Sequence, residues 1–260
     1  MNAESGMLYI AGIDWLPVSL VVWSFHMLVF HGAGLVFNWC DRTGALRAYK
    51  VRGPDRFSYG TMLPRVLGNQ ILVLLPAMLI AGHFGLAFTG APRLGPTAFI
   101  GGLLLMAIGH DVVQYGMHRG LLHSKHLRWL GHDIHHRTGA NASISACYMS
   151  APDFFLNIVC PYLLPLILIG GGGSDLRFHF LVAGMGALGG LYEHSGYDFA
   201  PRIGGAGLRM PARLLQFLPS SFTSSHAHGE HHRRWHVSFS DGFGSPGLCD
   251  WMFRTRWDLL

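Results

Sequence analysis

Five apolar segments constrain the fold of this chain more than any other feature of its sequence. They are Leu16–Phe37, Val66–Phe84, Thr97–Val113, Phe154–Ile169 and Phe178–Leu191. A helix of roughly 20 apolar residues is long enough to cross a bilayer. The fourth segment contains Pro161 and Pro165, which predict a kinked or re-entrant helix. The sequence therefore predicts an all-α integral membrane bundle of about four to five transmembrane or re-entrant helices.

The composition agrees with a membrane-embedded chain. Of its 260 residues, 50% are hydrophobic and only 13% are charged, whereas soluble domains carry about 25% charged residues. The net charge of +5 comes from arginines that flank apolar segments without an aromatic-basic motif, so we expect no nucleic-acid partner. The four scattered cysteines form no CxxC pair, which indicates reduced thiols and argues against an Fe–S cluster or a disulfide framework.

Histidines are concentrated in three stretches after residue 109. His110–His136 holds seven of the 17, His226–His236 holds five, and His194 stands between them. Imidazole is the commonest side chain for binding iron, zinc or copper near neutral pH. We therefore expect one domain over 1–260, with 1–109 mainly a transmembrane anchor and 110–260 a catalytic histidine-box region.

The spacing of these histidines predicts how they are presented. HDIHH places His132, His135 and His136 on one face of a helix, and HGEHH repeats the spacing with His228, His231 and His232. His118 and His123 are five residues apart, which suits one face of a regular α-helix poorly. The helix must end, widen or bend there, and a π-bulge would serve.

Other polar residues near His118 and His123, which form the first histidine box, are candidates for supporting roles. Asp111 is suited to accept an N–H from a ligand imidazole, and Tyr115 lies on a neighbouring helix face; we expect both to be catalytic residues. His110 and His126 could be ligands or bystanders. The two histidines of the first apolar segment, His26 and His31, have no partner at ligand spacing and are expected to be packed or hydrogen-bonded within the bundle.

The distribution of basic residues predicts the orientation. Loop 39–63 carries five basic residues and is expected on the cytoplasmic side. Counting the apolar segments from there puts both histidine clusters in the same compartment. We therefore expect an integral membrane protein of a bacterial inner membrane, with a histidine-rich helical cap and its active site on the cytoplasmic side.

These motifs together resemble a known family. HDVVQYGMHRGLLH, HDIHH, EHSGYDF and HGEHH, followed by a tryptophan–aspartate region, are similar to the fatty acid hydroxylase/sterol desaturase superfamily over Gly109–Arg256. The closing stretch DGFGSPGLCDWMFRT matches in outline, with Arg254 in place of the family's glycine. The spacing of the first box is one residue longer than in many sterol-oxidising members.

The resemblance implies a non-haem di-iron site that activates O₂ to hydroxylate or desaturate a lipid such as a fatty acyl chain or a sterol. Zinc could occupy the site in isolated protein. Electrons would come from a separate donor of the ferredoxin, cytochrome b5 or reductase type. By matching position, the implied metal ligands are His118, His123, His132, His135, His136, His194, His228, His231 and His232.

Three other functions remain open at this point. Histidines near membrane spans also line ion pathways, so a metal-ion transporter is one alternative. A metal-dependent membrane hydrolase, in which zinc activates water, is the second. A haem-binding cytochrome subunit is the third.

Overall fold

A computed structural model describes residues 7–10, 13–199, 225–242 and 245–260, and most of this part of the chain is helical. The α-helices are α1 (Val18–Thr43), α2 (Tyr59–Asn69), α3 (Leu75–His83), α4 (Pro96–Tyr115), α5 (His132–His136), α6 (Ala151–Phe154), α7 (Cys160–Leu168), α8 (Leu176–Glu193), α9 (His226–Arg234) and α10 (Leu248–Met252). Two short antiparallel hairpins complete the fold: β1 (Met7–Ile10) with β2 (Ile13–Pro17), and β3 (Asp241–Gly242) with β4 (Ser245–Pro246).

Three π-helical turns join α-helices into longer rods. Gln70–Leu74 connects α2 to α3, Gly116–Leu122 extends α4, and Phe155–Val159 connects α6 to α7. The spacing of the first histidine box predicted such a widening, and the His123 N–H donates to the His118 carbonyl at 3.0 Å, five residues back. That prediction is confirmed.

Four helical rods, counting α1 with the three just described, are long and apolar enough to cross a membrane. They are Val18–Thr43, Tyr59–His83, Pro96–Leu122 and Ala151–Leu168. The predicted membrane bundle is therefore confirmed, although the helices are longer than the apolar segments. The fourth rod is one continuous helix, because Pro161 lies in the first turn of α7 and the π turn before it absorbs the change of hydrogen bonding. The fifth segment forms α8, which packs along α1.

Specific residues fix the ends and contacts of the helices. Ser58 and Asp175 accept hydrogen bonds from the backbone N–H groups of Thr61 and Arg177 at the starts of α2 and α8. In α4, Gly109 lets the helix approach α7, because a Cβ there would lie 2.7 Å from Pro165 Cβ. This contact sets the two helices level with each other at positions 109 and 165.

The C-terminal segment is tied down by one buried carboxylate. Asp250 accepts hydrogen bonds from the N–H groups of Phe239 and Ser240 at 3.0 and 2.6 Å, and from the Thr255 hydroxyl at 2.6 Å. These bonds hold α10 against the two residues that precede β3. The four cysteines are free and buried.

Arg254 has a left-handed backbone conformation, with φ +54°. This region strains any residue with a Cβ, and the position is the one where the resembling family has glycine. We expect Arg254→Gly to raise the free energy of unfolding by up to about 1 kcal/mol, measured as a higher thermal midpoint in detergent. Arg47→Gly, at an exposed position without positive φ, is the control and should not stabilise the protein; equal effects of both variants would contradict the interpretation.

Candidate metal centre

The structure brings all nine predicted histidines into two adjacent groups. One contains five residues, His118, His123, His132, His136 and His231, and the other contains four, His135, His194, His228 and His232. Within each group, one ring nitrogen per residue lies within 4.8 Å of the others. Residues from the two groups touch, since the rings of His136 and His232 have centroids 4.6 Å apart. The groups are large enough for two metal sites of four or five ligands.

Four elements deliver these rings. The π turn at the end of α4 brings His118 and His123 to the same side, where their ring centroids are 5.0 Å apart. Helices α5 and α9 each present one face of three imidazoles, as their spacing predicted. His194 follows the last residue of α8. Eight of the nine side chains are buried, and His123 is half-buried.

The Nδ1 atoms of four rings contact hydrogen-bond acceptors, which are three backbone carbonyls and one carboxylate. His118 Nδ1 lies 2.8 Å from the Phe239 carbonyl, His194 Nδ1 lies 2.8 Å from that of Gly190, and His231 Nδ1 lies 2.7 Å from that of Val237. His132 Nδ1 lies 3.0 Å from both carboxylate oxygens of Asp153. The three rings on carbonyls must therefore carry their protons on Nδ1, and His132 does the same with ionised Asp153, which leaves a lone pair on Nε2 of each ring.

These lone pairs point at one another. The Nε2 atoms of His118 and His132 are 3.1 Å apart, and neither has a proton to share when both protons sit on Nδ1. His231 Nε2 is buried with no hydrogen-bond partner among the described residues. Two facing lone pairs repel, whereas a cation between them would accept both. The donor set therefore fits a metal ion better than it fits a hydrogen-bonded network.

Protonation does not relieve this arrangement near neutral pH. Burial, with the charges of neighbouring histidines, lowers the pKa of His132, His135, His228, His231 and His232 well below the usual value. Burial also lowers the pKa of His123 and of His194 to about 3. Neutral imidazoles are the form that binds metal ions, so the site is prepared for ligation across the physiological range.

Asp153 is a residue that sequence reasoning missed. It is fully buried at the end of α6, where its carboxylate orients His132. We expected Asp111 to bond an imidazole in this way. In the structure, Asp111 Oδ2 instead accepts from the Leu248 N–H at 2.6 Å, at the start of α10. The only signal for Asp153 was an acidic residue at the start of an apolar segment, 21 residues from its partner.

Tyr115 lies near the first group, since its ring and that of His118 both pack against Phe239. Its hydroxyl is 3.2 Å from the Thr255 hydroxyl and accepts a hydrogen bond from Arg119, and its ring stacks on Phe253. These contacts join α4 to the C-terminal segment. A catalytic role for Tyr115 or Asp111 remains a prediction, and the contacts of both residues suit positioning of the scaffold.

Arg52 connects all three histidine stretches from the loop after α1. Its guanidinium donates to the carbonyls of Ala140, Glu193 and Ser225 at 2.9, 2.8 and 2.6 Å, and to Asn141 Oδ1 at 2.9 Å. Ala140 follows the histidines of α5, Glu193 precedes His194, and Ser225 precedes α9. Gly229 makes room for this side chain, since a Cβ there would overlap Arg52. Burial lowers the pKa of Arg52 to about 10, so the group stays cationic at neutral pH.

The structure separates ligand candidates from bystanders. His110 and His126 belong to neither group. His126 is exposed, and His110 lies eight residues before His118 on the same helix. His31 Nε2 is 2.8 Å from Gln70 Oε1, which confirms the expected hydrogen-bonded role.

A mostly apolar cavity of about 510 Å³ begins at the second group. His135, His194 and His228 line one end, and the walls come from α1, α3, α4, α7 and α8. Phe30, Leu74, Met78, Leu103 and Met106 line its deeper part. A separate surface pocket of about 520 Å³ reaches the first group at His123 and His132. The two groups thus face different openings.

Comparison with known proteins agrees with this site. Methylsterol monooxygenase 2-2 of Arabidopsis thaliana is 26% identical over 263 residues, covering 97% of this chain and 91% of the plant protein. Methylsterol monooxygenase 2-1 of the same plant is 25% identical, with 97% and 93% covered. No solved structure matches the chain.

The family model for fatty acid hydroxylases matches residues 103–255, which include all nine clustered histidines, Asp153 and Asp250. The match covers more than half of the chain. This protein therefore belongs to the fatty acid hydroxylase family.

Proposed function

We propose that the protein is a membrane-bound di-iron oxygenase that uses O₂ and external electrons to hydroxylate or desaturate an unactivated C–H of a lipid. The observation that carries this proposal is the convergence of nine imidazoles in groups of five and four, with the second group next to a mostly apolar cavity. The family membership and the plant methylsterol monooxygenases support a lipid oxygenase.

The chain itself would hold and orient the two metal ions. The first candidates for ligation are the Nε2 atoms of His118, His132, His194 and His231. The Nδ1 protons of these rings are held by Phe239, Asp153, Gly190 and Val237, respectively. Bound iron would supply O₂ activation and hydrogen abstraction. The neutral shell of imidazoles, with Asp153 the carboxylate in contact with it, keeps such a pair cationic and redox-active.

The cavity would position the substrate and exclude water. Its apolar wall fits an alkyl chain or a ring system, and its end at His135, His194 and His228 would place one carbon beside the second group. A transporter would need a polar path across the membrane, whereas this cavity continues as an apolar space. A hydrolytic zinc site needs about three protein ligands, fewer than the number gathered here.

Electrons would enter through the surface pocket, which is separate from the substrate cavity. The lining of the surface pocket at His123 and His132 includes two exposed cations, Lys125 and Arg128. Among the described residues that line it, the one acidic residue, Asp133, is paired with Arg137. Trp129 beside the two cations is 73% exposed. A basic, aromatic rim next to the first group suits docking of an acidic redox protein such as a ferredoxin or cytochrome b5. The charge distribution of the loops supports a cytoplasmic position for this face.

We expect purified protein to bind two transition-metal ions per chain, measured by elemental analysis. His135→Ala and His231→Ala, one in each group, should each lose at least one metal and all lipid oxidation, because each removes a ligand. The control is His126→Ala, an exposed histidine outside both groups, which should keep both metals. Full activity of His135→Ala would rule out the di-metal proposal.

Asp153→Asn should lower metal affinity about 10- to 100-fold while leaving the fold intact, because an amide oxygen still accepts from His132 but does not raise its basicity. Chelator competition measures this. Asp133→Asn is the matched control, since Asp133 neighbours His132 in sequence but bonds the exposed Arg137. A similar loss in both variants would contradict the proposed role of Asp153.

Arg128→Glu should slow electron delivery by cytochrome b5 or ferredoxin about 10-fold at low salt, with the difference shrinking as ionic strength rises. Stopped-flow absorbance of the donor measures the rate. Arg93→Glu, the same charge change at an exposed site between the second and third rods, should have no effect. An equal effect of the two variants would rule out docking at the surface pocket.

A further inference from the structure

The cavity contains polar atoms that the metal centre does not use. His26 Nε2, His110 Nδ1 and Tyr162 Oη are buried and have no hydrogen-bond partner among the described residues, and all three side chains line the cavity. A buried polar atom left without a hydrogen-bond partner destabilises the protein. Ser245 Oγ is likewise buried, without a partner among the described residues and part of the cavity lining, and these atoms together point to a ligand that supplies the missing hydrogen bonds.

Two of these side chains lie on neighbouring helices at the same level. The contact between Gly109 and Pro165 aligns α4 with α7, which puts His110 and Tyr162 opposite each other within about one helical turn. His110 precedes His118 by eight residues on one continuous rod, so this level lies about 12 Å from the first group along the helix axis.

The third side chain lies at a similar depth on the other wall. Phe25, next to His26, stacks on Phe180 with ring centroids 4.2 Å apart and lies against Gly184. Gly184 precedes His194 by ten residues on α8, which is about 15 Å along the helix. The three unpaired groups therefore lie in the same zone of the cavity, about 12–15 Å along the helices from the clustered histidines.

The chemistry of this zone selects an uncharged ligand group. The tyrosine hydroxyl and the imidazoles can donate to or accept from an oxygen. Among the described residues that line the cavity, none is lysine or arginine, and a carboxylate would be costly to bury there without a cation.

We propose that His26, His110 and Tyr162 form a recognition site for a neutral hydroxyl or carbonyl oxygen of the lipid substrate. This deepens the proposed oxygenase function and rests on it for the reaction, but not for binding. The site makes the substrate an oxygen-bearing neutral lipid, held so that a carbon about 12–15 Å from that oxygen lies beside the metal centre.

Binding of matched lipids tests the site without turnover. We would measure competition by 1-hexadecanol, hexadecane and hexadecanoate against tritiated 1-hexadecanol, with metal-containing protein in detergent under anaerobic conditions. The alcohol should bind about 10-fold more tightly than the alkane and more tightly than the carboxylate. Equal binding of alcohol and alkane, or tightest binding of the carboxylate, would overturn the proposal.

Variants assign the preference to the named groups. Tyr162→Phe and His110→Leu should each reduce the alcohol-to-alkane ratio to roughly a third or less of the wild-type ratio, with metal content unchanged. Partition into detergent is the same for every variant and cancels in this comparison. Tyr59→Phe removes a hydroxyl that faces Gly34 outside the cavity and should leave the ratio unchanged. An unchanged ratio in both cavity variants would overturn the proposal.

The products distinguish failure of this site from failure of the oxygenase proposal. An extended alkyl chain advances about 1.25 Å per carbon, from a C–C bond of about 1.5 Å, so oxidation is expected about ten carbons from the oxygen. That position should stay fixed as the alcohol is lengthened, and mass spectrometry of the products measures it. Oxidation at a constant distance from the methyl end would overturn the recognition site. Selective binding without oxidation would overturn the oxygenase and leave the site standing.

Discussion

The contact between imidazole nitrogens that cannot bond to each other governs the rest of this structure. The Nδ1 protons of His118 and His132 are committed to Phe239 and Asp153, so their Nε2 lone pairs face each other at 3.1 Å. Burial keeps His132 neutral, since it lowers the pKa of the ring. A metal ion turns each such repulsion into a bond, so metal binding and stability of the catalytic region are expected to be coupled.

Holding these rings requires segments from the whole chain. The backbone acceptors for the Nδ1 protons come from the end of α8 and from residues 237–239 after α9, and the latter are fixed by Asp250. Arg52, near the start of the chain, bonds the carbonyls next to all three histidine stretches. The anchor and the histidine region are therefore one cooperative structure at the centre, although the composition divides them near residue 109.

Most ligand candidates could be predicted from the sequence because their spacing is local, whereas the isolated His194 was implied by the family resemblance. Helical periodicity groups His132 with His135 and His136, and the five-residue step from His118 to His123 predicts the π turn. The partners of these rings could not be predicted, since the proximity of Asp153 or Arg52 depends on tertiary packing between distant segments. Asp111 shows the limit, because an acidic residue on the correct helix faces α10 and not the imidazoles.

Under the proposed function, the two openings would give the two groups different tasks. His123 and His132 of the first group face the basic surface pocket, whereas His135, His194 and His228 of the second face the apolar cavity. Electrons arriving at the surface would reach the first group without crossing the substrate, and a lipid in the cavity would reach the second without meeting bulk water. Rings of the two groups are in contact, as His136 and His232 show, so charge has a short path between them. This separation would let one buried centre join a water-soluble donor to a substrate held among membrane helices.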